Sequence, residues 1–246
     1  MTKTIITAII ILALLAGIVI LLDNVRVPQE SPTPSASVST TSTTTPDYGT
    51  TGNIHVFNPS ANDEVGLPLV IKGEARTFEA AFSYRIKNSK GTVLVEGHSM
   101  TTGTEDYPAF RPFEVSVNYP DPKTASGSVE VFSMSAKDGS EINKVIVPVT
   151  FKKITDAQEV KLYINIDAPI TVRIPKTDTP VRATLDVLLK MMGGNLTINS
   201  VALKSGVLTV DMKGMVDAAT QAKITKTAMQ FSSVKSVVIT IDGKAL

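Results

Sequence analysis

In the stretch FEAAFSYRIKN, Phe78, Ala80, Phe82, Tyr84 and Ile86 share one face while Glu79, Ser83, Arg85 and Lys87 share the other. Successive strand side chains point to opposite faces, so this pattern predicts a half-buried strand. The same period returns at Phe113, Val115, Val117 and Tyr119, and again at Val145, Val147, Val149 and Phe151. With IHVF, LVIKG, TVLVEG and SVEVFSMS added, about seven short strands separated by turn-rich segments are expected over residues 53–152, the pattern of an antiparallel β-sandwich. Pro148 lacks a backbone N–H, which predicts that the last of these strands runs at a sheet edge. Lys137, Asp138, Gly139 and Ser140 fall between two strands. A tight hairpin needs positive φ, which glycine adopts freely and aspartate tolerates, so the segment predicts a turn rather than a catalytic loop.

After a polar linker at residues 153–159 the pattern becomes mixed. Val160, Leu162, Ile164 and Ile166 alternate as a strand, and ITVRI predicts another. TDTPVRATLDVLLKMMGG then changes to a helical period, with Thr179 as the cap, Pro180 at the first helical position, and Val181, Leu185, Leu188 and Met192 on one face before Gly193 ends it. Strands follow around LTINSVAL and GVLTVDM, then a helix near residues 216–231 with Ile224, Ala228 and Phe231 on one side, and SVVITIDGK as a last strand. The order β-β-α-β-β-α-β over residues 160–246 predicts a small α+β domain with both helices on one face of a single sheet.

The start of the chain differs. Residues 5–22 are uncharged and mostly apolar, and as a helix they would span about 27 Å, the hydrocarbon thickness of a bilayer. No small-x-small cleavage site follows at Ile20, Leu21, Leu22, Asp23 and Asn24, which favours an uncleaved transmembrane anchor over a cleaved signal peptide. Lys3 precedes the run and Asp23 offsets Arg26 after it, so the amino terminus is expected in the cytoplasm and the rest outside, at the plasma membrane. Residues 23–52 are rich in Ser, Thr and Pro and predict a disordered stalk.

The formal net charge of +1 lacks the basic footprint of a nucleic-acid binder. The average hides a split: residues 53–152 hold ten Lys plus Arg against twelve Asp plus Glu, whereas residues 160–246 hold eleven against six. An anionic partner is therefore expected at the second domain, with Lys223, Lys226 and Lys235 as candidate partner-binding residues. The chain has no cysteine, which removes disulfides, thiolate metal sites and cysteine catalysis. His55 and His98 show no metal spacing, and Asp186, Asp211 and Asp217 are expected to be solvated or capping. Met191 and Met192 are expected to fill core, and the NLT at Asn195 is expected to be a chance match to a glycosylation acceptor. No phosphate loop, HExxH, GxSxG or acidic EF-hand loop is present, so neither a catalytic residue nor a metal or other cofactor is expected.

IHVFNP, LPLVIKGEARTFEAAFSYRI, FRPFEVSV, GSVEVFSMSAKDGS and VIVPV, in that order, resemble the immunoglobulin-like domain attached to bacterial spore germination proteins. VKLYI, LLK, SGVLTVD and TAMQFSSVKSVVITIDGK resemble the GerMN domain of sporulation and spore germination proteins, with MMGG where that family often has Gly-Pro. The resemblance implies no catalytic residue. Together with the expected anchor and stalk it leads to a membrane-anchored, extracytoplasmic binding or scaffolding protein whose partner is another envelope protein or an anionic wall polymer, with self-association as a competing mode. The alternative is a cell-wall hydrolase at an interdomain cleft, using loop carboxylates such as Glu105 with Asp106 or Asp156 with Glu159.

Overall fold

The computed structural model describes residues 49–104 and 108–245. Eight strands form the sandwich: β1 (Ile54–Asn58), β2 (Glu64–Val65), β3 (Leu69–Ala75), β4 (Ala81–Asn88), β5 (Val93–Met100), β6 (Arg111–Val117), β7 (Ser126–Met134) and β8 (Glu141–Phe151). One sheet has the order β1-β3-β6, the other β2-β8-β7-β4-β5. Ile54, Ile71, Phe113, Val115 and Val117 from the first and Phe82, Tyr84, Ile86, Val129, Val131, Val145 and Val147 from the second are all buried. The alternation in the sequence thus marks the inner faces, with one exception. Phe78 does not continue β4: a 3-10 turn at Phe78–Ala80 precedes the strand, Glu79 and Ala80 have φ of 55° and 59°, and Phe78 is 69% exposed.

β8 is next to the edge rather than at it. The two-residue β2 lies outside it in parallel, through Asn62 N–H to Pro148 O at 2.7 Å, Thr150 N–H to Asp63 O at 2.9 Å and Lys152 N–H to Val65 O at 2.8 Å. The next donor on that side would be residue 148, and proline has none, so the pairing stops there. The hairpin between β7 and β8 is the expected turn. Gly139 has φ +71°, Ser135 N–H donates to Ser140 O at 2.8 Å, and Asp138 Oδ1 accepts from the Ser140 N–H and hydroxyl at 3.1 and 2.7 Å.

The outer face of the five-stranded sheet is closed by charge. Arg85 stands between Glu96 and Glu130 in the strand register. Its guanidinium reaches Glu130 at 2.7 Å, Glu141 at 3.0 Å and Glu96 at 3.4 Å, and Lys87 reaches Glu130 at 2.8 Å. Lys144 pairs with Glu141 and, like Arg85, lies over the Phe132 ring, which is 1% exposed. Burial alone would raise the Glu130 carboxyl, but hydrogen bonds from Lys87 and Arg85 together outweigh it and hold it below the ordinary value. Glu141, hydrogen-bonded first by Arg85 and then by Lys144, is pulled down to about 2.

The second domain contains β9 (Ala157–Leu162), β10 (Ile170–Pro175), α1 (Pro180–Met192), β11 (Thr197–Lys204), β12 (Val207–Lys213), α2 (Ala218–Ala228), β13 (Ser236–Ile241) and β14 (Lys244–Ala245). Pro180 and Gly193 bound α1 as expected, but the Thr179 side chain makes no capping bond. Leu185, Leu188 and Met191 are buried, and on α2 Ile224 and Ala228 are buried.

The fold class expected from the sequence is corrected in two respects. The transmembrane helix expected at residues 5–22, like the stalk at residues 23–52 except for its last positions, lies outside the described residues; among the described residues no helix is long and apolar enough to cross a membrane. The described fold is β-rich, with two α-helices. The single sheet expected for residues 160–246 is in fact two: an antiparallel pair β10-β9 and a four-stranded sheet β11-β12-β13-β14, in which β12 and β13 run parallel across the α2 crossover. A two-residue β14 folds back on β13. The helices contact one another and both sheets, α1 touching β9 and β11 and α2 touching β9 and β13. Both helices thus pack against strands of each sheet.

The sandwich and this domain share one contiguous apolar cluster. At the seam, Asn118 Nδ2 donates to Arg173 O at 2.7 Å and Arg173 N–H donates to Tyr119 O at 3.1 Å. Tyr119 is fully buried, its hydroxyl donates to Val65 O at 3.3 Å, and its ring lies 5.4 Å from that of Phe151. Burial pushes its phenol up to about 12, against a smaller opposing pull from Arg173.

Two outcomes follow. Asn118→Ala leaves the Arg173 carbonyl buried without its donor and is expected to cost about 1–3 kcal/mol in urea unfolding; an unchanged midpoint would remove the seam from the stability of the fold. For the charge cluster, the folded carboxyl values lie below the unfolded ones. Its contribution is therefore complete above pH 4.5, the ordinary Glu value, and is lost as pH falls towards about 2. Glu141→Gln should lose less stability than the parent between pH 6 and pH 3 in the same assay, and equal losses would count against the cluster.

Candidate functional site

At one end of the sandwich the turn before β4 and the β7–β8 hairpin meet in a groove of about 550 Å³. Its rim carries the exposed apolar side chains Phe78, Met134 and Ile142. The backbone places Phe78 there. With left-handed φ at two consecutive non-glycine residues, the 3-10 turn points the ring into solvent instead of into the core. The walls are polar. Arg76 Nε donates to Asn53 Oδ1 at 2.8 Å, Asn53 Nδ2 to Asn143 Oδ1 at 2.9 Å, and Asn143 Nδ2 to the Ser133 hydroxyl at 3.1 Å. Asn143 has φ +54°.

Two hydroxyls flank the turn without a hydrogen-bond partner among the described residues, Thr77 Oγ1 and Thr101 Oγ1, on residues 5% and 8% exposed. A buried unpaired hydroxyl costs about 1–3 kcal/mol, so such groups are rare without a use. Ser83 Oγ lies 2.9 Å from His98 Nδ1 on the same groove. Ser83 is 3% exposed, which places that hydroxyl behind the surface rather than at it. The arrangement is suited to gripping an apolar side chain at the rim while offering hydrogen bonds deeper in.

The residues expected from the sequence are dispersed. His55 bonds Glu74 at 2.9 Å and stacks on Phe110 at 4.6 Å. Asp217 caps α2 through Thr220 N–H at 2.8 Å, and Asp186 pairs with Arg182 at 2.9 Å. Asp211 does more than expected: it accepts from Thr240 Oγ1 at 2.6 Å, Gly243 N–H at 2.7 Å and Asn199 at 3.0 Å, which clamps the terminal hairpin and holds its carboxyl below the ordinary value. Asp156 pairs with Lys176 at 3.4 Å, whereas Glu159 stands opposite Arg173 in the ladder, so these two carboxylates have different surroundings. Glu105 and Asp106 lie outside the described residues. Lys223 and Lys226 lie on α2, where the Lys226 ammonium donates to Ile166 O at 3.0 Å. Lys235 is elsewhere, at the turn into β13, its stem against Gly206. Asn195 is exposed before β11. Among the described residues no three His, Cys, Asp or Glu side chains gather for a metal ion.

The sequence reading missed Thr77, Ser83 and Asn143 as neighbours. A signal was present in the two blocks quoted above, GEARTFEA and FSMSAKDGS, which prove to supply opposite walls of one groove.

Residues 53–140 match the family described as the immunoglobulin-like domain of bacterial spore germination, and residues 135–246 match the family described as sporulation and spore germination. The two matched regions follow one another along the chain and overlap at residues 135–140. Among solved structures it is similar to the first GerMN domain of the sporulation protein GerM from Bacillus subtilis, at 22% identity and a TM-score of 0.30, over 36% of this chain and 86% of that one. No curated protein matches the chain. The groove lies within the germination immunoglobulin-like domain, apart from the end of the hairpin and the start of β8, where Ile142 and Asn143 lie in the region matched by the second family.

Thr77→Val keeps the shape of the side chain and removes the unpaired hydroxyl. It should raise stability by about 1 kcal/mol in urea unfolding; a loss of that size would mean that the hydroxyl is satisfied within the fold.

Proposed function

We propose that this sporulation- and germination-related chain is an extracytoplasmic binding and scaffolding protein of the bacterial envelope. It works by holding another envelope protein in the groove of its germination immunoglobulin-like domain, not by turnover. The observation that carries this reading is Phe78, 69% exposed on a left-handed turn at the rim of the groove. The backbone holds the ring in water, and a binding partner that covers it removes that apolar surface from solvent. Aromatic anchors of this kind dominate binding energy at protein interfaces. The extracytoplasmic placement rests on the charge pattern around residues 1–26 and the Ser, Thr and Pro-rich stretch that follows. The basic balance of residues 160–246, with Lys226 and Lys235 exposed and Lys223 half-buried, favours a second, salt-sensitive contact with an anionic partner.

The test is capture from envelope extracts by the full-length chain and by a Phe78→Ala/Met134→Ala variant. Both side chains are exposed, so the variant should keep its melting temperature yet lose partner capture by roughly tenfold. Equal capture by the two, or recovery of the native protein in the soluble cytosol, would overturn the proposal.

A further inference from the structure

Arg173 carries a charge whose bonding needs the fold leaves unmet. It sits in β10 with 9% of its surface exposed, and its backbone N–H and C=O are both used by the seam with Tyr119 and Asn118. Its Nε is buried and has no hydrogen-bond partner, and no acidic group among the described residues forms an ion pair with it. The neighbouring acids form no hydrogen bond with it. Asp121 is held by the Lys123 ammonium at 2.8 Å and the Lys123 N–H at 3.1 Å, which keep its carboxyl below the ordinary value, with a smaller pull from the Arg173 charge. Glu159 faces Arg173 across the β9–β10 ladder but is exposed and unpaired with it. Burying a guanidinium N–H without a hydrogen-bond partner is unfavourable, and folded proteins normally pair such a group or use it.

The surroundings add to the imbalance. Arg173 lines a pocket of about 430 Å³ together with Lys123, Lys152 and Lys153, and the one carboxylate on the lining is Asp121. Lys152 and Lys153 are exposed and have no ion pair among the described residues. The sandwich contributes Lys123 and Lys152, the linker Lys153, and the second domain Arg173. An excess of positive charge with a guanidinium on the lining matches a doubly charged tetrahedral oxyanion better than a single carboxylate, because guanidinium N–H groups bond phosphate oxygens directionally while ammonium groups act as point charges.

We propose that this pocket between the two domains is a phosphate-binding site, with Arg173 as the buried donor and Lys123, Lys152 and Lys153 as the charged rim. Its ligand bridges the domains, so occupancy stabilises the seam as well as the chain. The phosphate is either free or carried on a polyol-phosphate polymer, and two probes distinguish these sources.

The full-length chain is titrated by calorimetry, at constant ionic strength set with chloride, with inorganic phosphate and separately with a short glycerol-phosphate oligomer. Saturable binding of at least one is expected; phosphate alone indicates a free or terminal group, and tighter binding of the oligomer indicates the polymer. Lys152→Ala/Lys153→Ala, at exposed positions that leave the fold intact, should weaken binding by about tenfold. Arg173→Met should abolish it, and if that variant does not fold the double lysine variant decides. Absence of saturable binding of either probe, or unchanged affinity in the double variant, overturns the site.

Discussion

The hydrogen-bonded seam of Asn118, Tyr119 and Arg173 is the constraint on which the rest of this structure depends. A backbone carbonyl at the middle of β10 accepts from a side chain of the other domain, and the N–H of the same residue donates to a backbone carbonyl there. Buried backbone groups must be paired, so each domain completes the other's bonding at this point. Tyr119 extends the constraint inward, because its ring packs on Phe151 and its hydroxyl reaches Val65, tying the seam to the edge of the five-stranded sheet. The contiguous apolar cluster and the contact of α1 with β6 are the packing counterpart of these bonds. The same residue, Arg173, is buried with an Nε–H that has no partner among the described residues, and it lines the pocket beside the seam.

Stability and strain are spatially separated in the sandwich. The middle of the five-stranded sheet has a fully buried inner face and an outer face closed by Arg85, Glu130 and Phe132. At one end of the sandwich, by contrast, left-handed residues, orphan hydroxyls and exposed apolar side chains accumulate. Costs of a few kcal/mol at a rim persist only when the surrounding fold over-determines them. The charge cluster is one of the features that supplies this support, since it locks the three central strands in register.

Much of this was legible in the chain. Period-two alternation marked the inner faces of β4, β6 and β8, and Pro180 and Gly193 marked the limits of α1, because both signals are local. The Asp138–Gly139 turn was legible for the same reason. What escaped depends on distant partners. Phe78 fits the alternation of β4, and the turn that expels it is set by contacts of Thr77, Ala80 and Thr101. The division of the second domain into two sheets depends on which strands hydrogen-bond to one another, which no strand pattern encodes. The strand at ITVRI was legible, but the burial of Arg173 within it comes with contacts from a loop more than fifty positions earlier. Ser83 with His98 and the two walls of the groove likewise meet only through the sheet register.

The parallel pairing of β2 with β8 also fixes how the sandwich responds to force. The chain enters β2 from its amino-terminal side and leaves β8 towards the second domain, and the two strands point the same way. Tension applied across the sandwich through these two ends pulls the strands past each other along their length. The bonds to Pro148, Thr150 and Lys152 are then loaded together in shear instead of opening one at a time like a zipper. A pair only two residues long, stopped by a proline, thus becomes a mechanical clasp placed where the chain would transmit load.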